Sequence, residues 1–366
     1  MTRIAVVLTA RASWAKLEPV CRAMQQHPDV ELQLIVCASA LLERYGKVID
    51  VVKAQGFPVA AEIYSVYEGS THETAGKETG ALVSELSSAL HRLRPSCAVV
   101  CADRHEIAAA ALAAANLHLP LVHVQGGEDS GSIDQRIRHA VTQLADVHLV
   151  STELAKLRVY GATGSDQIYV TGCPSIDQCV GLDADPPVTT EELGGDGPLV
   201  DPERHPIVVL QHPVTNEADL SRVQLEATLA AVWAVGTIPI VFWPGQDAGA
   251  EPMAKLLREE RARVHTVRNL PPRRFLKLVT QAACLVGNSS AGIRECSYLG
   301  VPVVDVGMRQ HGRERAKNVR HCEHDASALA LALSAQVAHG RYPSSTLYGD
   351  GGAGPRCADI LARMWH

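Results

Sequence analysis

The chain has 366 residues, longer than one hydrophobic core usually grows, so two domains are expected. Hydrophobic residues at 46% and charged residues at 20% describe an ordinary globular protein, and a formal net charge of −6 argues against non-specific nucleic-acid binding and for a small-molecule partner. Ten cysteines with no C-x-x-C and no recurring spacing form a reduced, cytoplasmic set, in which Cys97 and Cys101 read as packed thiols and not as metal ligands.

In chain order, "MTRIAVVLTAR" begins with an apolar run too short for a signal peptide. The most apolar long segment, "IAAAALAAANLHLPLVHV", is interrupted by Asn116, His118 and Pro120, so no membrane span is expected. Over residues 1–180 short β-branched runs alternate with Ala/Leu-rich stretches: "IAVVLTA", "ELQLIVCAS", "SCAVVCAD", "PLVHVQGG", "VHLVST" and "QIYVTG". That alternation predicts βαβ units and a parallel sheet covered on both faces. Residues 181–206 turn polar and rich in Pro, Gly and Asp, the pattern of a linker with a surface excursion. The rhythm resumes over 207–345 with "PIVVLQHP", "PIVFWPG", "ARVHTV", "ACLVGNSS" and "VPVVDVG", and residues 346–366 are expected to form a helix that packs back on the N-terminal domain. The fold class is therefore α/β, with two Rossmann-like domains facing across a cleft.

Open α/β sheets bind ligands beyond the carboxyl ends of their strands, so the residues after each run carry the functional signal. In "VGNSSAGIRE" small residues, including Gly292, join a strand to a helix and let an anion approach backbone N–H groups, with Ser289 and Ser290 adding hydroxyls. No Lys-Ser/Thr pair follows, so this is not a P-loop. Glu295, on the first turns of that helix, can reach ribose hydroxyls or can stabilise the helix start. In "MRQHGRERAKN" Arg309, Arg313 and Arg315 can clamp a diphosphate. His212 in "QHPVT" and Arg11 in "LTARAS" lie at strand ends of opposite domains, where they can carry developing charge. Asp183 and Asp185 form a D-x-D inside the polar linker, a poor setting for a metal, and no metal site is expected.

The N-terminal half supplies carboxylates. "CADRHE" places Asp103, Arg104 and Glu106 after one strand, and "HVQGGEDSGSIDQRIRHA" places Glu128, Asp129 and Asp134 after the next, with Arg138 and His139 one turn beyond. Such groups serve as general acid or base when their surroundings tune them, although Asp134 also suits a helix cap.

Taken together, "HVQGGEDSGSIDQRIRHAVTQLADVHLVST", "VTGCPSID", "QHPVT", "GNSSAGIRE" and "RQHGRERAKNV" resemble the UDP-N-acetylglucosamine 2-epimerases, with the "IDQRIRHA" and final arginine motifs nearest the hydrolysing branch. The resemblance implies a GT-B-like pair of domains, no cofactor, no metal, and anti elimination of UDP through a 2-acetamidoglucal. By motif it implies that Arg11, His212, Ser289, Ser290, Gly292, Glu295 and Arg313 bind UDP, and that Asp103, Glu128 and Asp134, with Gln125, Arg138 and His139 nearby, serve the sugar.

Two positions depart from the hydrolysing pattern: Ser13 stands where an acid is usual, and Gln125 replaces the glutamate of H-x-E-G-G-E. An amide cannot exchange a proton as a carboxylate does. The product is accordingly expected to be UDP-N-acetylmannosamine or, by hydrolysis, N-acetylmannosamine and UDP. A GT-B glycosyltransferase and a catalytically impaired nucleotide-sugar-binding protein are the alternatives. The expected partner is UDP-N-acetylglucosamine or UDP, without nucleic acid or membrane, in a homodimer or homotetramer.

Overall fold

The computed structural model describes residues 1–68, 71–101, 104–130, 134–244 and 248–365, with the backbone alone at 12, 44, 72, 134 and 215. The chain divides into two compact units. The first comprises Met1–Glu128, Asp134–Gln178 and Gly349–His366; the second comprises Cys179–Tyr348, joined by Asp129 and Ser130.

In the first unit the strands are β1 (Thr2–Leu8), β2 (Val30–Cys37), β3 (Val59–Ile63), β4 (Cys97–Cys101), β5 (Leu121–Val124), β6 (Val147–Val150) and β7 (Ile168–Val170). They form one parallel sheet in the order β3-β2-β1-β4-β5-β6-β7. Alternate residues serve opposite cores: Ile4, Val6 and Leu8 pack with Leu34 and Val99 on one face, while Ala5 and Val7 pack with Ile35 and Val100 on the other. Burial on both faces is why these strands read as unbroken apolar runs. Helix His105–Asn116 buries Ala109, Ala110, Ala111, Ala113 and Ala114. Their small side chains let it lie close to its neighbours.

The C-terminal helix Ala353–Met364 belongs to this unit and shares a core with Leu17, Val20 and Met24 of helix Arg11–Gln26 through Cys357, Ala358 and Leu361. Asp177 holds its first turn, accepting from Ala353 N at 3.0 Å and Gly354 N at 2.7 Å.

The strands of the second unit are β8 (Ile207–Leu210), β9 (Ile240–Phe242), β10 (His265–Val267), β11 (Cys284–Gly287), β12 (Val303–Val306) and β13 (Val319–Cys322). They too are parallel, in the order β10-β9-β8-β11-β12-β13. Residues 181–206, read from sequence as a linker, fall within this unit. Val188 and Leu193 are buried in its core, Lys277 Nζ donates to Leu182 O at 2.9 Å, and Arg273 holds Asp185 of the D-x-D at 2.6 and 2.8 Å. The polar composition hid two apolar anchors spaced too far apart to show periodicity.

Both sheets reverse strand order once, next to the first strand: between β1 and β4, and between β8 and β11. Such switch points leave a crevice at the carboxyl ends. The edge strands β3 and β13 were not expected; each is short, and half-exposed residues break their apolar pattern. Among the described residues no helix is long and apolar enough to cross a membrane.

His148 on β6 is buried, and neither ring nitrogen has a hydrogen-bond partner among the described residues. Burial, opposed only in part by Asp146, pushes it down to about 4 from an ordinary 6.5. Between those values the unfolded chain takes up a proton that the folded chain refuses. Stability is therefore highest above about pH 6.5 and falls as the pH drops toward 4, by at most about 1.4 kcal/mol per pH unit. His148→Leu should flatten that slope in urea unfolding followed between roughly neutral and pH 5. A wild-type slope in the variant would assign the dependence to other groups.

Candidate active site

The switch point of the second unit is built around Asn288, which is fully buried. Its Oδ1 accepts from His212 N at 2.8 Å and its Nδ2 donates to His212 O at 2.7 Å. Its carbonyl oxygen accepts from Gln310 Nε2 at 2.7 Å and from one Arg309 guanidinium nitrogen at 3.1 Å. The side-chain amide thus ties the loop that follows β8 to that after β11, and the backbone carbonyl of the same residue ties in the loop that follows β12. Gly287 permits the approach: at φ +139°, a Cβ there would lie 2.2 Å from Leu210 O. Gln310 in turn accepts from Arg313 through its side-chain oxygen.

Within this frame His212 is half-buried, and burial together with the charge of Arg309 pushes it down to about 3. It stays neutral at physiological pH and offers hydrogen bonds without adding charge. Ser289 and Ser290 lie partly exposed next to Asn288. Ser289 Oγ is also a cap, accepting from Ala291 N at 3.3 Å. The single helix expected after the serines is instead two: Ser290–Ile293 breaks at Arg294, and Glu295–Leu299 follows. Pieces of four and five residues carry little dipole, so the side chains and the Asn288-fixed loops are the main donors. Glu295 is half-buried, and its Oε2 has no hydrogen-bond partner among the described residues. A carboxylate oxygen withdrawn from water without a donor is costly, which suits a ligand hydroxyl.

Two of these residues also carry structural contacts. A Cβ at Gly292 would lie 3.0 Å from Val303 Cγ1 and 3.2 Å from Leu285 Cδ2, so the small residue is needed for packing. Arg315 is bound to buried Asp305 through Nε at 3.1 Å and a terminal nitrogen at 2.7 Å, so its charge is matched internally. Asn288, Gln310 and buried Gln211 were missed. Asn288 and Gln310 stood inside the quoted motifs, but a side chain that ties loops far apart in sequence leaves no local signal.

In the first unit Arg11 begins helix Arg11–Gln26, which has no side-chain cap and no acidic residue in its first turn. Burial lowers the pKa of this guanidinium from its ordinary value. A cation at a helix N-terminus opposes the dipole, an arrangement suited to an arriving anion. Ser13, the first departure, is buried. Asp103 lies outside the described residues, as does the side chain of Asp134, whose backbone starts helix Asp134–Leu144.

Glu106 is 3% exposed and paired with Arg104, Nε to Oε2 at 3.1 Å and a terminal nitrogen to Oε1 at 3.3 Å. Burial alone would raise its pKa, but Arg104 and His105 outweigh it and hold the carboxyl below its ordinary value. Glu128 is buried, and Arg138, also buried, donates to its carbonyl oxygen at 2.5 Å. Arg138 thereby fixes the backbone carrying Glu128. His139 is exposed on the same helix.

Gln125 is buried at φ +64°, a conformation uncommon outside glycine. Its N–H extends the sheet to Leu149 O at 2.9 Å, and its amide Nε2 contacts Cys173 Sγ at 2.8 Å. Its Oε1 is buried with no partner among the described residues.

Two Rossmann-like sheets that share the order of their first six strands, the first sheet carrying β7 in addition, each with polar groups at its switch point, define a GT-B-like α/β protein. The model of the UDP-N-acetylglucosamine 2-epimerase family matches residues 22–362, and the chain belongs to that family. It is 27% identical over 98% of its length to UDP-N,N'-diacetylbacillosamine 2-epimerase (hydrolyzing) of Legionella pneumophila, covering 95% of that protein. It is 28% identical over 96% of its length to a UDP-N-acetylglucosamine 2-epimerase of Neisseria meningitidis serogroup B, covering 92% of it. The fold is similar to that of the Neisseria meningitidis UDP-GlcNAc 2-epimerase crystal structure, with a TM-score of 0.82 at 16% identity over 99% of this chain and 100% of that one. The Methanocaldococcus jannaschii enzyme gives 0.81 at 17% identity, again over 99% and 100% of the two chains.

Asn288→Ala should lower stability by roughly 1–3 kcal/mol, because it strands the backbone N–H and C=O of His212 while leaving the Asn288 carbonyl to Gln310 and Arg309. Chemical unfolding measures this, and an unchanged midpoint would mean that the loops hold without the amide.

Proposed function

We propose that the protein inverts C2 of UDP-N-acetylglucosamine by eliminating and re-adding UDP. The supporting observation is the second unit's switch point, where Asn288 fixes a neutral His212, Ser289, Ser290 and Arg309 close in the fold, while Glu295 keeps a carboxylate oxygen without a donor. These are the groups a nucleoside diphosphate needs: neutral and charged donors for phosphate, and an acceptor for ribose hydroxyls. Arg313, on the same unit, adds guanidinium charge.

A carboxylate among Asp103, Glu128 and Asp134 takes the C2 proton, the C1–O bond breaks, and its electron pair leaves with UDP. A C1–C2 double bond remains in the 2-acetamidoglucal. The UDP oxygen then adds back to C1 as C2 receives a proton on the opposite face, giving UDP-N-acetylmannosamine. Gln125 favours this outcome, since a buried amide cannot activate water by taking its proton. A second reading replaces UDP by water and yields N-acetylmannosamine and UDP; the likeness to the hydrolysing Legionella pneumophila protein supports it.

Proton NMR of UDP-N-acetylglucosamine with the enzyme in deuterium oxide tests the reaction. Deuterium at C2 and UDP-N-acetylmannosamine are expected. Early, stoichiometric release of free UDP with N-acetylmannosamine would establish hydrolysis instead, and an unchanged C2 would overturn the epimerase in favour of a transferase or a binding protein. Gln125→Glu should raise the hydrolysed fraction, about tenfold for each 1.4 kcal/mol of barrier difference.

Glu295→Ala should shrink the rise in melting temperature that UDP produces in the wild type. A full shift in the variant would remove Glu295 from the nucleotide site.

A further inference from the structure

Helix His105–Asn116 starts without a side-chain cap: its N-cap residue is Arg104, in extended backbone. Its first turn is held by a chain of charged groups instead. Arg104 pairs with Glu106, and His105 Nδ1 lies 3.5 Å from Glu106 Oε2. His105 Nε2 lies 3.3 Å from Oε2 of Glu78, on helix His72–Leu93. A carboxylate only accepts, so the imidazole donates to Glu78 through Nε2–H. The other oxygen of Glu78 accepts from Tyr67 N at 2.9 Å, in the segment that follows β3. In the same segment Ser65 is buried, and its hydroxyl has no partner among the described residues.

Both oxygens of Glu78, a side chain only 14% exposed, are therefore used by segments after different strands, β3 and β4. These strands are not neighbours, since β2 and β1 stand between them. A carboxylate so placed is a brace: it fixes the start of the helix one residue beyond Arg104, and Arg104 directly follows Asp103 in the chain.

We propose that Glu78 is a positioning residue for the reaction, acting through His105 on the start of helix His105–Asn116, whose N-cap Arg104 follows Asp103 in the chain; this rests on the reading of Asp103 as one of the reacting carboxylates. Misplacement of a reacting group by a fraction of an ångström costs rate and leaves ground-state binding largely intact. Glu78→Ala should lower kcat about tenfold while KM and the UDP-induced melting shift stay near wild type. Glu78→Gln keeps one oxygen acceptor, for Tyr67 N, and presents an amide N–H2 to His105, which can meet it only through an unprotonated Nε2, so it should recover part of the rate. His105→Phe, a change at a partly exposed site, should lower kcat to a similar degree, and combining it with Glu78→Ala should add little, because both break one chain of contacts.

The measurement is steady-state kinetics and C2 deuterium exchange on the full chain, with UDP melting shifts in parallel. Wild-type kcat in Glu78→Ala, additive losses in the double variant, or a loss of rate that tracks a loss of UDP binding would each overturn the brace while leaving the epimerase reading in place. Absence of C2 exchange in the wild type would overturn both.

Discussion

A parallel sheet covered on both faces has few sites where a polar side chain is tolerated, and its strand ends are the principal ones. Both units obey this constraint. Ile4 through Leu8 and Ile207 through Val209 are buried, and the residues that follow them supply Arg11 and His212. The reversal of strand order beside β1 and beside β8 then selects which ends are open to a ligand. Where polarity enters a strand interior it must be matched or stay neutral: Asp305 in β12 is paired with Arg315, whereas His148 has no partner among the described residues, so burial keeps it neutral and its contribution to stability is sensitive to acid.

In the second unit that constraint is combined with a single buried amide. Asn288 satisfies both backbone groups of His212 and receives Arg309 and Gln310 on its own carbonyl. The ordering of these loops is thus secured by folding and not deferred to ligand binding, which is how preorganised donors gain their strength. Burial also keeps His212 neutral, so charge for an anionic ligand comes from the guanidinium groups.

The first unit offers a different chemistry. Its buried carboxylates are paired or braced: Glu106 by Arg104, and the backbone of Glu128 by Arg138. Gln125, after β5, is a neutral buried group held in left-handed backbone and directed toward Cys173. A carboxylate and an amide at this position differ in proton affinity more than in shape.

The sequence by itself determined the α/β class, most strands, and the two groups of motifs at their ends, because buried parallel strands and Gly-rich strand-to-helix turns are local patterns. It also marked Gln125 and Ser13 as departures, since these are matters of residue identity. Tertiary structure decided what depends on contacts between distant segments. It placed 181–206 in the second unit through Val188 and Leu193, paired Arg315 with Asp305, and showed the close packing that requires a small residue at 292. It divided the helix after the serines into two short pieces, and it revealed Asn288 and Glu78 as ties between loops. The physical reason is the range of the interactions: hydrophobic alternation acts over a few residues and is written in the chain, whereas a hydrogen bond between residues 76 positions apart, as between His212 and Asn288, exists only once the sheet has brought the two strand ends side by side.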